Sequence, residues 1–281
     1  MEETTTAPAS FFLPGPAGDL FAIYHSPAPS TRDRGDVVYV HPFAEEMNHS
    51  RHLISTLARQ LSRYGLGVLM VDLYGCGDSA GDFAEARWET WKEDVAAAVR
   101  WLHGRGRRRI GLWGLRLGAM LAMDVAASGP TAYDRIVLWQ PVLRGDLMMT
   151  GFLQSTMAER GTALVPKELA NPEARRMVRS GQLIDVAGHT IAAELILAID
   201  RLELGTLGRA VSAPVHWLEL IPAAGRTFSA ASMQIIERWK ENGTAVSTYA
   251  RVERPFWLLG DCSRHEALVE TARRMLGGVA S

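Results

Sequence analysis

The sequence predicts an α/β fold: a mostly parallel central sheet of about eight strands, helices on both faces, and an inserted helical cap. Two observations carry this. Up to about residue 146, short apolar runs alternate with stretches of helical periodicity, the pattern of a doubly wound sheet. From 147 to 208 no buried-strand run is evident, and amphipathic helix candidates take its place before strands resume. The expected organisation is a first core part (1–146), a helical cap insertion (147–208) and a second core part (209–281). A chain of 281 residues, 47% of them hydrophobic, is long enough for one large domain with an insertion.

The elements follow in order. Residues 10–13 and 20–25 are short apolar-rich runs joined by Gly15-Pro16-Ala17-Gly18-Asp19, a hairpin signature. Asp36 to His41 is a buried-type strand. Residues 51–64 place Leu53, Ile54, Leu57, Leu61 and Tyr64 at helical spacing. Gly67 to Asp72 is the next strand, and 87–103 a helix with Trp88, Trp91, Val95, Val99 and Leu102 on one face. Strands at Ile110–Trp113 and Ile136–Trp139 flank a helix of small residues. The cap helices are expected at Met148–Glu159, Glu173–Ser180 and Thr190–Leu202. Strands at Val215–Leu220 and Val246–Val252 alternate with helices at Ala230–Lys240 and His265–Leu276.

Composition narrows the function. The formal net charge is −1, so bulk attraction to nucleic acid or anionic membrane is not expected. No apolar run reaches transmembrane length. Met1 to Ser10 has neither a basic region nor an apolar core, which predicts a cytoplasmic protein without a signal peptide. The two cysteines, Cys76 and Cys262, are expected to be free thiols. Metal-type Cys/His spacing is absent, and no cofactor is expected.

The most informative segment is Gly114-Leu115-Arg116-Leu117-Gly118, between a short strand and an immediate small-residue helix. That layout resembles the nucleophile elbow of the α/β-hydrolases, G-x-S-x-G on a sharp strand-to-helix turn. Arg116 stands where the serine is expected. A guanidinium stays protonated and offers only donors, so ordinary serine-esterase chemistry is not expected. A literal G-x-S-x-G occurs at Gly77-Asp78-Ser79-Ala80-Gly81. Helical periodicity begins only near Arg87, so Ser79 reads as a turn residue near the rim of a pocket.

His41-Pro42-Phe43-Ala44-Glu45-Glu46-Met47 follows the strand that precedes the oxyanion loop in this fold. The amides of Phe43 and Leu117 are the expected oxyanion donors. Glu45 and Glu46 either cap the following helix or face Arg116 as a charge-assisted partner. Chain order in the fold runs nucleophile, acid, histidine. Glu219 is the candidate acid and His265 the candidate base, with Asp261 or Ser263 as alternative helix caps beside it. His41, Glu45, Glu46, Ser79 and Gln140 are expected around the pocket.

Together His41–Met47, Asp72–Ser79, Leu112–Ala119, Leu138–Val142 and Pro255–Trp257 make the chain similar to the second α/β-hydrolase family associated with exosortase A. That group occurs in bacteria with exopolysaccharide and PEP-CTERM sorting loci. The resemblance implies a role in cell-surface polysaccharide processing and makes Arg116 part of a family pattern. The stretch Leu258–His265 departs from that pattern. Two readings stay open: an acyl or glycan-ester hydrolase using water, or a non-catalytic protein binding a carboxylate or phosphate at Arg116. The partner is in either case a small molecule, glycan or acyl compound.

Overall fold

The computed structural model describes residues 7–29, 31–159, 175–186, 188–208, 211–259 and 266–277. Eight strands form one sheet in the order β1-β2-β4-β3-β5-β6-β9-β10. Strand β1 (Ala9–Pro14) and β2 (Asp19–His25) form the antiparallel hairpin, and β2 pairs antiparallel with β4 (Gly67–Val71). The other strands run parallel: β3 (Asp36–Val40), β5 (Ile110–Leu115), β6 (Ile136–Trp139), β9 (Val215–Ile221) and β10 (Val246–Val252). This is the predicted class, a mostly parallel sheet with helices around it.

Strand periodicity sorts the side chains into two cores. Val38, Val40, Leu112, Leu138 and Trp217 face one side, with α2 (Trp88–Gly104), α3 (Leu117–Ser128) and α8 (Ala230–Glu241). Val37, Tyr39, Trp113 and Trp139 face the other, beneath α1 (Glu45–Arg63) and α10 (Glu266–Gly277). Trp113 packs edge-on against both Tyr39 and Trp139, each with ring centroids 5.0 Å apart.

The insertion between β6 and β9 begins with α4 (Gly145–Glu159), then a helical turn at 175–179 (α5). Here the prediction needs correcting. The helix expected at Thr190–Leu202 is α6 (Ala193–Asp200), followed by α7 (Leu204–Leu207), but its first two residues and the segment before them form a small antiparallel hairpin, β7 (Ile184–Val186) and β8 (His189–Ile191). Gly188 at φ +81° turns the hairpin, and Ile184, Val186 and Ile191 bury its inner side. The hairpin is separate from the central sheet.

Helix α1 also starts six residues earlier than its apolar stripe, because Ala44 breaks the chain at φ 50°, ψ −130° and Glu45 and Glu46 occupy the first turn. The other described elements that were expected lie within about two residues of expectation, except that α4 starts three residues early, at Gly145. Helix α9 (Phe256–Leu259) was not anticipated.

Candidate functional site

A single residue separates β5 from α3, and it is Arg116, with φ 56° and ψ −118°. That conformation is strained for a residue with a Cβ, and the surroundings enforce it. The Arg116 N–H donates to the Trp139 carbonyl at 3.0 Å. Its own carbonyl accepts from Ala119 and Val142 at 3.1 and 3.3 Å. Glycine is required on both sides. A Cβ on Gly114 would sit 2.4 Å from the Ala119 Cα, and one on Gly118 would sit 2.3 Å from the Val40 carbonyl oxygen. The start of α3 is thereby pressed onto the loop leaving β3. Neither the Phe43 nor the Leu117 N–H has an acceptor among the described residues.

The Arg116 guanidinium lies on a cleft of about 750 Å³ that Phe43, Glu46, His49, Met148, Phe152 and Trp257 help to line. Its Nε donates to Glu46 Oε1 at 3.2 Å, both side chains being mostly buried. Its central carbon lies 5.3 Å from the Trp257 ring centroid, within cation–π range. The other carboxylate oxygen of Glu46 is buried without a partner among the described residues. Burial pushes the Glu46 carboxyl above its ordinary range, against the opposing pull of Arg116 and, more weakly, His49. His49 Nδ1 lies 3.1 Å from the Trp257 carbonyl, which can only accept. Nδ1 therefore carries a proton and donates in this bond. At the cleft edge Glu45 bonds His189 of β8 at 3.1 Å.

The other candidates fall elsewhere. The pocket assignment of Ser79 needs correcting. Its hydroxyl accepts from the Phe21 N–H at 2.8 Å and donates to the Asp72 carbonyl at 2.6 Å, tying the loop to β2. No described histidine bonds it. His41 is buried behind the cleft, with Nδ1 donating to the Pro42 carbonyl at 2.8 Å and Nε2 accepting from Leu73 N–H at 3.2 Å. Burial holds it neutral by lowering its pKa. Gln140, at φ 42°, stitches β6 to β9 through its Oε1 and the Leu220 N–H at 2.7 Å, rather than lining the cleft. Glu219 accepts from the Ser229 N–H at 3.2 Å and makes no described contact with Arg116. His265 and Met157, together with Asp261, Ser263 and Cys262, lie outside the residues whose side chains are described. Cys76 is buried, and burial pushes its thiol well up.

The sequence reading missed Trp257 and His49. The signal for Trp257 was position. It sits just past the last strand, where the chain in this fold returns toward the elbow. Asp72, by contrast, is structural: Arg51 holds both of its oxygens at 2.7 and 2.8 Å, and Asp78 N–H donates to it at 3.1 Å. Among the described residues no cluster of His, Cys, Asp and Glu is arranged to hold a metal ion.

Comparison with known proteins agrees with this architecture. The structure of Est1E from Butyrivibrio proteoclasticus with bound ferulic acid superposes with a TM-score of 0.63 at 16% identity, covering 95% of this chain and 99% of that one. The Pyrococcus furiosus esterase Pf2001 gives 0.62 at 15% identity, covering 96% and 88%. These similarities establish the fold. In sequence, an acyl transferase of Shewanella hanedai is 33% identical over 85 residues, and one of Photobacterium leiognathi is 34% identical over 92. The first alignment spans 30% of this chain and 26% of the transferase; the second spans 32% and 29%. The sequence profile of the serine aminopeptidase S33 family matches residues 31–186, from β3 through the elbow into the insertion. With more than half of its length matched and the sheet order in place, the chain belongs to the serine aminopeptidase S33 family and has the α/β-hydrolase fold.

Proposed function

We propose that this protein binds an anionic acyl compound at Arg116, and that Arg116 occupies the place a serine nucleophile holds in active relatives. The observation that carries the reading is the pairing of Arg116. Among the described residues only its Nε is taken, by Glu46, while both terminal amino groups remain for a carboxylate or phosphate. The open Phe43 and Leu117 amides at the start of α3 add donors of the kind that favour an anion. Phe43, Met148, Phe152 and Trp257 supply an apolar wall for an acyl or aryl chain. Trp257 sets an aromatic face beside the guanidinium that stands at the nucleophile position, an arrangement suited to binding.

Within this reading the chain belongs to the exosortase A-associated branch of α/β-hydrolases and serves cell-surface polysaccharide processing. The motifs His41–Met47, Leu112–Ala119 and Pro255–Trp257 support that placement, since Glu46, Arg116 and Trp257 all come from them. A hydrolytic reading has one observation in its favour. Glu46 keeps a buried, unpartnered oxygen and a raised pKa beside the open amides, the setting of a general acid–base group.

The test is a fluorophosphonate probe applied to the full chain, beside thermal shifts with dodecanoate, dodecyl phosphate and uncharged dodecanol. Binding predicts stabilisation by both anions, none by dodecanol, and no label. Labelling of the chain, with turnover of an aryl ester, would overturn it. Slow turnover lost in Glu46→Gln without labelling would favour the hydrolytic reading.

A further inference from the structure

Arg116 borders two clefts. The second, of about 530 Å³, shares Arg116, Leu147 and Met148 with the first, so these residues form the divide between them. Both volumes fall within the range of small-molecule sites, about 300–1,000 Å³. Their charges differ in sign. Apart from Arg116, the first cleft holds Glu45, Glu46 and one histidine, His49. The second holds two more arginines, Arg144 and Arg238, against the single acid Glu203. Arg144 is tied to Asp146 at 3.0 Å. Arg238, on α8, is exposed and makes no side-chain hydrogen bond or ion pair among the described residues. Gln234, one turn earlier on the same helix, adds an amide donor facing the same space. An anion is therefore drawn to the second cleft and repelled by the acids of the first, while the apolar wall of Phe43, Phe152 and Trp257 belongs to the first alone.

We propose that the second cleft takes the phosphate-bearing arm of a ligand whose apolar arm fills the first, with the phosphate held by Arg116 together with Arg238. The ligand class is an ester or thioester of an acyl chain with a phosphorylated alcohol or thiol. This rests on the reading of Arg116 as the anion-binding residue. It adds a second point of attachment, Arg238 with Gln234, on an element remote in sequence from the elbow.

The test is calorimetric titration of the full chain with two stable analogues of dodecanoyl-pantetheine. Both carry methylene in place of the thioester sulfur; one keeps the terminal phosphate and the other lacks it. Dodecanesulfonate serves as a single-arm probe. The expected result is that the phosphate form binds at least about tenfold more tightly than its partner. The ratio falls below about threefold in Arg238→Glu and persists in Lys240→Glu, an exposed change on the same helix. Equal affinity of the two analogues, with dodecanesulfonate still binding, overturns the proposal and leaves the reading of Arg116 intact. A ratio that survives Arg238→Glu also overturns it. Failure of all three probes removes both.

Discussion

Arg116 carries a charge that cannot be titrated away, and its surroundings answer with one carboxylate and one aromatic face. Glu46 therefore competes with any anion for the same guanidinium. Burial raises its pKa, so in the folded protein it takes up a proton at a higher pH than an unfolded chain would. Its stabilising effect grows as the pH falls through the carboxylate range and is lost as the pH rises. Protonation also releases Arg116. Affinity for dodecanesulfonate, whose own charge does not change, is expected to rise on acidification. Glu46→Gln should bind this probe about two- to tenfold more tightly at neutral pH and flatten the part of the profile due to Glu46. Titration calorimetry across pH checks this, and an unchanged profile in Glu46→Gln would remove Glu46 as the competitor. Arg116 and Glu46 were both legible in the sequence, one by motif and one by its odd place in an oxyanion-type loop. Trp257 was not, because in this fold the segment after the last strand is expected to carry a histidine.

At the scale of elements, the turn around Arg116 depends on glycines that let backbones touch. Gly118→Ala would push a methyl group into the Val40 and His41 carbonyls, and is expected to cost about 2–3 kcal/mol in urea unfolding. A cost near zero would mean that the contact relaxes freely. Helix α2 is tied to the loop after β4 by Asp94, which accepts the Tyr74 N–H at 2.8 Å while its other oxygen is buried without a partner among the described residues. Burial pushes Asp94 up to about 6. Its charged form is thus a cost that grows as the pH rises from the unfolded carboxylate range through that value. Asp94→Asn keeps an acceptor for Tyr74 and should stabilise the protein by about 1–2 kcal/mol at pH ~8, the gain fading by pH ~4. Melting curves at the two pH values decide. Strands and long helices were legible because each carries a single periodicity. The β7–β8 hairpin was not, since three-residue strands give no measurable alternation, and Thr190, Ile191 and the residues beyond fit a helical stripe equally well.

At the scale of the whole molecule, βα alternation revealed the sheet, because parallel strands need crossover helices and leave near-continuous apolar runs. The site was legible only in part. Its walls are assembled from β3–α1, the elbow, α4 and the segment after β10, and nothing local in sequence announces which side chains meet there. Among the described residues no helix is long and apolar enough to cross a membrane. Met148, Gly151 and Phe152 of α4 line the cleft, and at its edge His189 of β8 bonds Glu45. His189→Ala should therefore speed release of dodecanesulfonate in stopped-flow measurements by about two- to fivefold, in line with a rim contact. No change in rate would mean that this contact does not hold the cleft edge. The central claim is that Arg116 holds the ligand's anionic group. The most direct measurement is the affinity of dodecanesulfonate for the wild-type chain and for Arg116→Gln, with fluorophosphonate labelling of Arg116→Ser alongside. The account predicts a loss of at least about tenfold in Arg116→Gln and no label on Arg116→Ser. Unchanged affinity in the first variant, with labelling and brisk ester hydrolysis in the second, would contradict it.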